Sequence, residues 1–153
     1  MIATGTAFQA LGETSSSTEG HPIIRMESSA YSVIGEANQT SLLIGSSIPS
    51  TYTIVDGFGT RAVEVTQATV DPETGDLTGT WISCKTPPEG VIEIYGNAET
   101  LDVLVADGAY ITSIDMEACA NLEILSLEYN ALECLDLTPF TRLSAIYLSG
   151  HSF

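Results

Sequence analysis

Leu122-Glu123-Ile124-Leu125-Ser126-Leu127-Glu128-Tyr129-Asn130-Ala131-Leu132 is the stretch from which the rest of the chain is read. It is one copy of a repeat. Leu101, Leu122 and Leu143 stand at equal steps, 122 − 101 = 21 and 143 − 122 = 21. Aligned on them, Leu104, Leu125 and Ile146 share a column. So do Ala106, Leu127 and Leu148, and then Ile111, Leu132 and Phe153. Ile114-Asp115-Met116 returns as Leu135-Asp136-Leu137, and Cys119 returns as Phe140. Residues 101–121 and 122–142 are full copies, and 143–153 is a partial one.

A segment of this length cannot bury its own apolar side, so successive copies must stack and share a core. In Leu125-Ser126-Leu127 the alternation sends both leucines to one side and the serine to the other, as a strand requires. Equivalent strands of neighbouring copies then pair side by side in parallel. The residues alternating with the core positions form an outward grid: Val103, Val105 and Asp107, then Ile124, Ser126 and Glu128, then Ala145, Tyr147 and Ser149. Apolar and aromatic groups exposed together on one face are unusual where nothing binds. These nine residues are therefore the candidate partner-binding surface. The competing expectation is that so few copies make too small a face and the exposure is merely tolerated.

The pattern Leu122-x-x-Leu125-x-Leu127-x-x-Asn130-x-Leu132 resembles a leucine-rich repeat. The short period and the second Leu-Asp-Leu segment are similar to the repeats of secreted and cell-surface bacterial proteins. The resemblance implies a solenoid and export but hardly a specific activity; the outward face is what points to a non-enzymatic module that binds protein or glycan. In that family the asparagine holds backbone groups at a tight bend. Here only the middle copy keeps it. Ala109 and His151 occupy the column in the flanking copies, so looser outer bends are expected. No basic start with a long apolar run is visible, so a secreted or surface location rests on the resemblance alone.

Upstream, Ile23–Glu27, Ser41–Gly45, Thr51–Val55, Arg61–Val65 and Leu77–Lys85 read as strands. The pair around Asp56-Gly57-Phe58-Gly59-Thr60 reads as a hairpin. That turn resembles the hairpin of polycystic-kidney-disease-type immunoglobulin-like domains. The expected organisation is a flexible Ser/Thr/Gly-rich segment over 1–21, an immunoglobulin-like antiparallel β-sandwich over 22–88, and a capping strand plus repeats over 89–153. Pro87-Pro88 marks the boundary, and Val91–Gly96 is the expected capping strand. The fold class is mainly β: a small sandwich followed by a short solenoid.

Twenty acidic and four basic residues give a formal net charge of −16. That argues against nucleic acid as a partner, which demands a basic footprint, and the acidity alternatively serves solubility alone. No apolar run is long enough for a membrane-spanning helix, so no membrane insertion is expected. Cys84, Cys119 and Cys134 are an odd set with no zinc spacing. Cys119 should point inward and Cys134 outward, so the two do not bridge. His21 and His151 accompany no nucleophile motif, and no cofactor is expected. Asp115 and Asp136 recur on an outward position, where they cap turns or face water rather than hold a metal. Ala145–Gly150 carries no charge, so the last strand leaves self-association through its edge as a second mode of contact. The alternative function is a structural spacer, or a fragment of a longer repeat protein whose ligand site lies elsewhere.

Overall fold

Twelve strands and one short helix follow each other in the computed structural model, which describes residues 20–36 and 38–151. They are β1 (Ile24–Ser28), α1 (Ala30–Ile34), β2 (Gln39–Ser46), β3 (Ser50–Asp56), β4 (Gly59–Val65), β5 (Thr69–Val70) and β6 (Leu77–Thr78). Then come β7 (Thr80–Lys85), β8 (Val91–Tyr95), β9 (Leu101–Val105), β10 (Ile111–Asp115), β11 (Ile124–Ser126) and β12 (Ala145–Tyr147). The protein is mainly β. One five-stranded sheet has the order β10-β1-β8-β3-β4, and all its ladders are antiparallel. A second has the order β12-β11-β9-β2-β7. The expected flexible segment falls almost wholly outside the described residues.

Period-two alternation builds the core between the sheets. Ile24 and Met26 of β1, Ile92 and Ile94 of β8, and Tyr52 and Ile54 of β3 are buried on one side. Leu42 and Ile44 of β2, Leu104 of β9 and Leu125 of β11 are buried in the same cluster from the other. Each such side chain contributes roughly 1.5–3 kcal/mol by leaving water.

The second sheet joins two kinds of pairing. Leu125 of β11 stands opposite Leu104 of β9 on one flank and Ile146 of β12 on the other, both in parallel register. These are the steps of the sequence repeat. β9 then pairs antiparallel with β2, with Leu43 opposite Val105 and Gly45 opposite Val103. The strand beside the first copy is therefore β2, not Val91–Gly96. β8 lies instead at the centre of the first sheet, between β1 and β3. Its phase explains this placement: Ile92 and Ile94 both face the core, and each flank accepts an antiparallel neighbour.

Ladders β1–β8, β3–β8, β2–β9 and β1–β10 all cross the proline boundary at 88. Residues 22–88 and 89–151 thus share both sheets instead of folding as successive bodies. The expected single strand over 77–85 is also broken, at Gly79. A Cβ there would lie 3.2 Å from the Ala68 Cβ and 3.3 Å from a Leu43 methyl, a tight fit that would push these neighbours back by a few tenths of an ångström. β5 and β6 pair as a separate two-stranded arm around the Asp71–Asp76 turn.

The β3–β4 hairpin forms as expected, with Gly57-Phe58 between Asp56 and Gly59. The buried Asp56 carboxylate accepts from Arg61 Nη1 at 2.7 Å and from the Phe58 and Lys85 amides at 2.9 and 3.0 Å. Arg61 Nη2 donates to the Ser83 carbonyl at 2.6 Å. This cluster ties the hairpin of one sheet to β7 of the other.

Candidate binding groove

Cross-strand partners in a sheet share a face. On the outer face of the second sheet, register therefore places Trp81, Leu43, Val105, Ser126 and Tyr147 in one row. The row runs across β7, β2, β9, β11 and β12. Four strand spacings separate its ends, about 19 Å at about 4.8 Å each. A second row holds Gly45, Val103, Ile124 and Ala145.

The β5–β6 arm folds over part of this face. Ala68, at the foot of the arm, meets the sheet above Gly45: a Cβ on Gly45 would sit 2.7 Å from the Ala68 Cβ and 2.9 Å from the Val103 Cβ. Between the arm and the strands lies a groove of about 420 Å³. Val105, Ile124, Ser126 and Ala145 contribute to its floor, and Val70, Gly75 and Leu77 contribute from the arm. Trp81 and Tyr147 stand at the two ends of the row, 58% and 52% exposed.

Not all nine grid residues present themselves. Val103 is only 4% exposed and Ser126 only 7% exposed. Val103 is withdrawn from the open face, and Ser126 reaches the groove floor with little exposed surface. Register puts both on the outer face, where Ala68 of the arm and Val103 crowd the same space over Gly45 and a neighbouring carboxylate holds Ser126. The Ser126 hydroxyl donates to Asp107 Oδ1 at 2.7 Å, and the Glu128 amide donates to the same oxygen at 2.8 Å. Ser149 Oγ in turn donates to Glu128 Oε2 at 3.0 Å. Asp107, Glu128 and Ser149 thus form a hydrogen-bonded acidic row beside the apolar ones. Val105, Ile124 and Ala145 are half-buried in the groove, and Tyr147 is exposed. Sequence reasoning missed Trp81, Val70 and Leu77. The lone tryptophan on a strand was the available signal, but its partner Leu43 was not identifiable without the β2–β7 register.

Several of the groups that catalysis or metal binding could recruit are buried or held by other contacts. Burial, reinforced by Asp56, pushes the Cys84 thiol up to about 12, and burial, reinforced by Asp115, pushes Cys119 up to about 12. Both stay protonated and poorly nucleophilic at neutral pH. Cys134 is exposed, and all three cysteines are free. Asp136 Oδ1 accepts from the Thr138 amide and hydroxyl at 2.9 and 2.7 Å, and Asp115 Oδ1 accepts from the Glu117 amide at 3.3 Å. The repeated aspartates cap their own turns. His21 is exposed, and His151 is taken up by backbone groups of the preceding copy. Among the described residues no cluster of His, Cys, Asp and Glu is placed to hold a metal ion. No helix among them is long and apolar enough to cross a membrane.

Compared with protein families, curated proteins and solved structures, the chain matches none.

Proposed function

We propose that this protein is a non-enzymatic interaction module that holds a protein or glycan ligand in the groove between the β5–β6 arm and the outer face of β9, β11 and β12. One observation carries the reading: two aromatic side chains stay exposed at the ends of a single cross-strand row, over an apolar floor. Exposed aromatics around an apolar surface are the usual anchors of recognition, since they bring large contact area at low entropic cost.

The repeat belongs to the same proposal. We read residues 101–151 as a short leucine-rich-repeat solenoid of the kind used by exported or cell-surface bacterial proteins. In favour stand the parallel β9–β11–β12 ladder and the Asn130 side chain, which bridges backbone groups of two successive copies. The secreted or surface location follows from that resemblance and from nothing else.

The test is a binding screen of the full chain against extracellular proteins and glycans, run beside the double variant Trp81→Ala/Tyr147→Ala. Ligands of the groove are lost from the variant while its circular dichroism and melting temperature stay within the parental range. A ligand that both bind equally well moves the site elsewhere and overturns this reading.

A further inference from the structure

We infer that the groove takes an extended peptide segment carrying both apolar and cationic side chains, an inference that rests on the groove being the binding site. The floor and walls fix the apolar half of that chemistry. Val70, Leu77, Trp81, Val105, Ile124 and Tyr147 present hydrocarbon and aromatic surface. The two serine hydroxyls that line the groove already donate within the chain, which leaves the Tyr147 phenol and the Trp81 N–H as its polar side-chain groups. Ser126 donates to Asp107, and Ser144 Oγ donates to the Glu123 carbonyl at 3.1 Å. A sugar, with a hydroxyl on nearly every carbon, would find few free partners there and would leave its own groups unpaired, which is costly in a desolvated site. Apolar side chains find what they need.

Charge fixes the other half. The chain has four Lys and Arg residues, namely Arg25, Arg61, Lys85 and Arg142, and none of them lines the groove. Arg61 is bound to Asp56, Arg25 to Glu27, and Arg142 lies 3.6 Å from Glu123. The turn that brings Gly75 to the groove carries the exposed carboxylates of Asp71, Glu73 and Asp76. Asp107 and Glu128 lie along the row beside the floor. An apolar slot whose adjoining turn and neighbouring row carry carboxylates, in a molecule of net charge −16, attracts a positive partner and repels a negative one.

Trp81 is the only tryptophan, so its emission reports directly on occupancy. Three probes are titrated into the full chain: an octapeptide alternating valine and lysine, the same peptide with glutamate for lysine, and a neutral glucan oligosaccharide. The lysine peptide shifts Trp81 emission to the blue and saturates. Its affinity falls several-fold when ionic strength is raised, because the adjoining charges are screened over about a Debye length of 10 Å at 0.1 M. Tyr147→Ala weakens it about tenfold, the scale of one aromatic anchor. Glu73→Lys/Asp76→Lys leaves the fold intact, weakens the lysine peptide and brings the glutamate peptide into range. Equal response to both peptides, or none to the lysine peptide, overturns the inference. A response to the glucan alone also overturns it but leaves the groove as the site. Ligands from the screen that bind Trp81→Ala/Tyr147→Ala normally defeat the groove reading itself.

Discussion

Asn130 shows how one side chain can hold two turns of chain. Its Oδ1 accepts from the Ala109 and Ile111 amides at 2.8 and 3.0 Å, and its Nδ2 donates to the Ala106 and Leu127 carbonyls at 2.8 and 3.0 Å. His151, one repeat later, performs the equivalent task with an imidazole. Its Nδ1 accepts from the Leu132 amide at 3.2 Å, and its Nε2 lies in hydrogen-bond contact with the Leu127 carbonyl. Leu132 and Leu127 are the repeat equivalents of Ile111 and Ala106. The outer bend at His151 is thus bridged rather than loosened, in contrast to what loss of the asparagine suggested. Asn130→Ala should cost about 2–6 kcal/mol, because it orphans two buried amides at about 1–3 kcal/mol each. His151→Asn should restore most of the melting temperature lost in His151→Ala. Equal melting of the two His151 variants would refute the equivalence.

Two further positions can be argued singly. Gly108, Tyr129 and Gly150 share a repeat column and all have positive φ, at 63°, 57° and 83°. Tyr129 therefore sits where an L-residue is strained and its neighbours are glycine. Tyr129→Gly should exceed Tyr129→Ala in stability by about 1 kcal/mol in denaturant titrations, since alanine keeps the strain and glycine removes it. Asp102 is a second cost. Burial and then the Glu123 carboxylate push its carboxyl above the usual range, and its Oδ1 has no hydrogen-bond partner among the described residues. A carboxyl raised in the folded state binds protons more readily there than in the unfolded chain. Stability therefore falls as pH rises through the folded value. Asp102→Asn should gain up to about 1 kcal/mol at pH 7, limited by solvent screening of a half-exposed group. The gain should vanish as pH is lowered and the parent protonates. A gain that persists at low pH would assign it to packing instead.

At the scale of elements, the arm and the sheet meet at glycine. Gly45→Ala places a methyl 2.7 Å from Ala68 and 2.9 Å from Val103, closer than carbon atoms pack. One of them must move, and the arm has the fewest attachments. The variant should lose stability, and the Asp71–Asp76 turn should be cut faster by protease. Unchanged cleavage would mean that Val103 yields instead. The same contact marks the limit of sequence reading. The register of β9, β11 and β12 was legible because each copy repeats the same columns, so one copy checks another. The β3–β4 hairpin was legible because its turn and both strands are local. The β2–β9 and β1–β8 ladders join residues far apart in the chain, and no periodicity names such partners. Alternation told which side Val103 faces but not that Ala68 covers it, so the groove emerges only when arm and sheet are placed together.

At the scale of the whole molecule, the two sheets end differently. On the first sheet the edges are β10 and β4. On the second they are β7 and β12, and no described strand pairs with the far side of β12. Ala145 donates to the Glu123 carbonyl and Tyr147 accepts from the Leu127 amide, so the backbone groups of these two residues face β11. In a strand the intervening residue turns its own amide and carbonyl the other way, so those of Ile146 face outward. Residues 145–150 hold no charged side chain to discourage pairing there. Against association stands the net charge of −16, which sets any two copies repelling each other. The balance is therefore salt-dependent. Sedimentation at micromolar concentration should show a dimer that strengthens as salt screens the repulsion, opposite in sign to the salt response of the groove ligand. Ile146→Pro removes only the outward amide and should leave the inner ladder to β11 in place, as proline is tolerated on that side of an edge strand. The variant should remain monomeric across the same salt range with its melting temperature little changed. A parent that stays monomeric at high salt would show that the edge does not pair, and a variant that dimerises as strongly would place the contact on another surface.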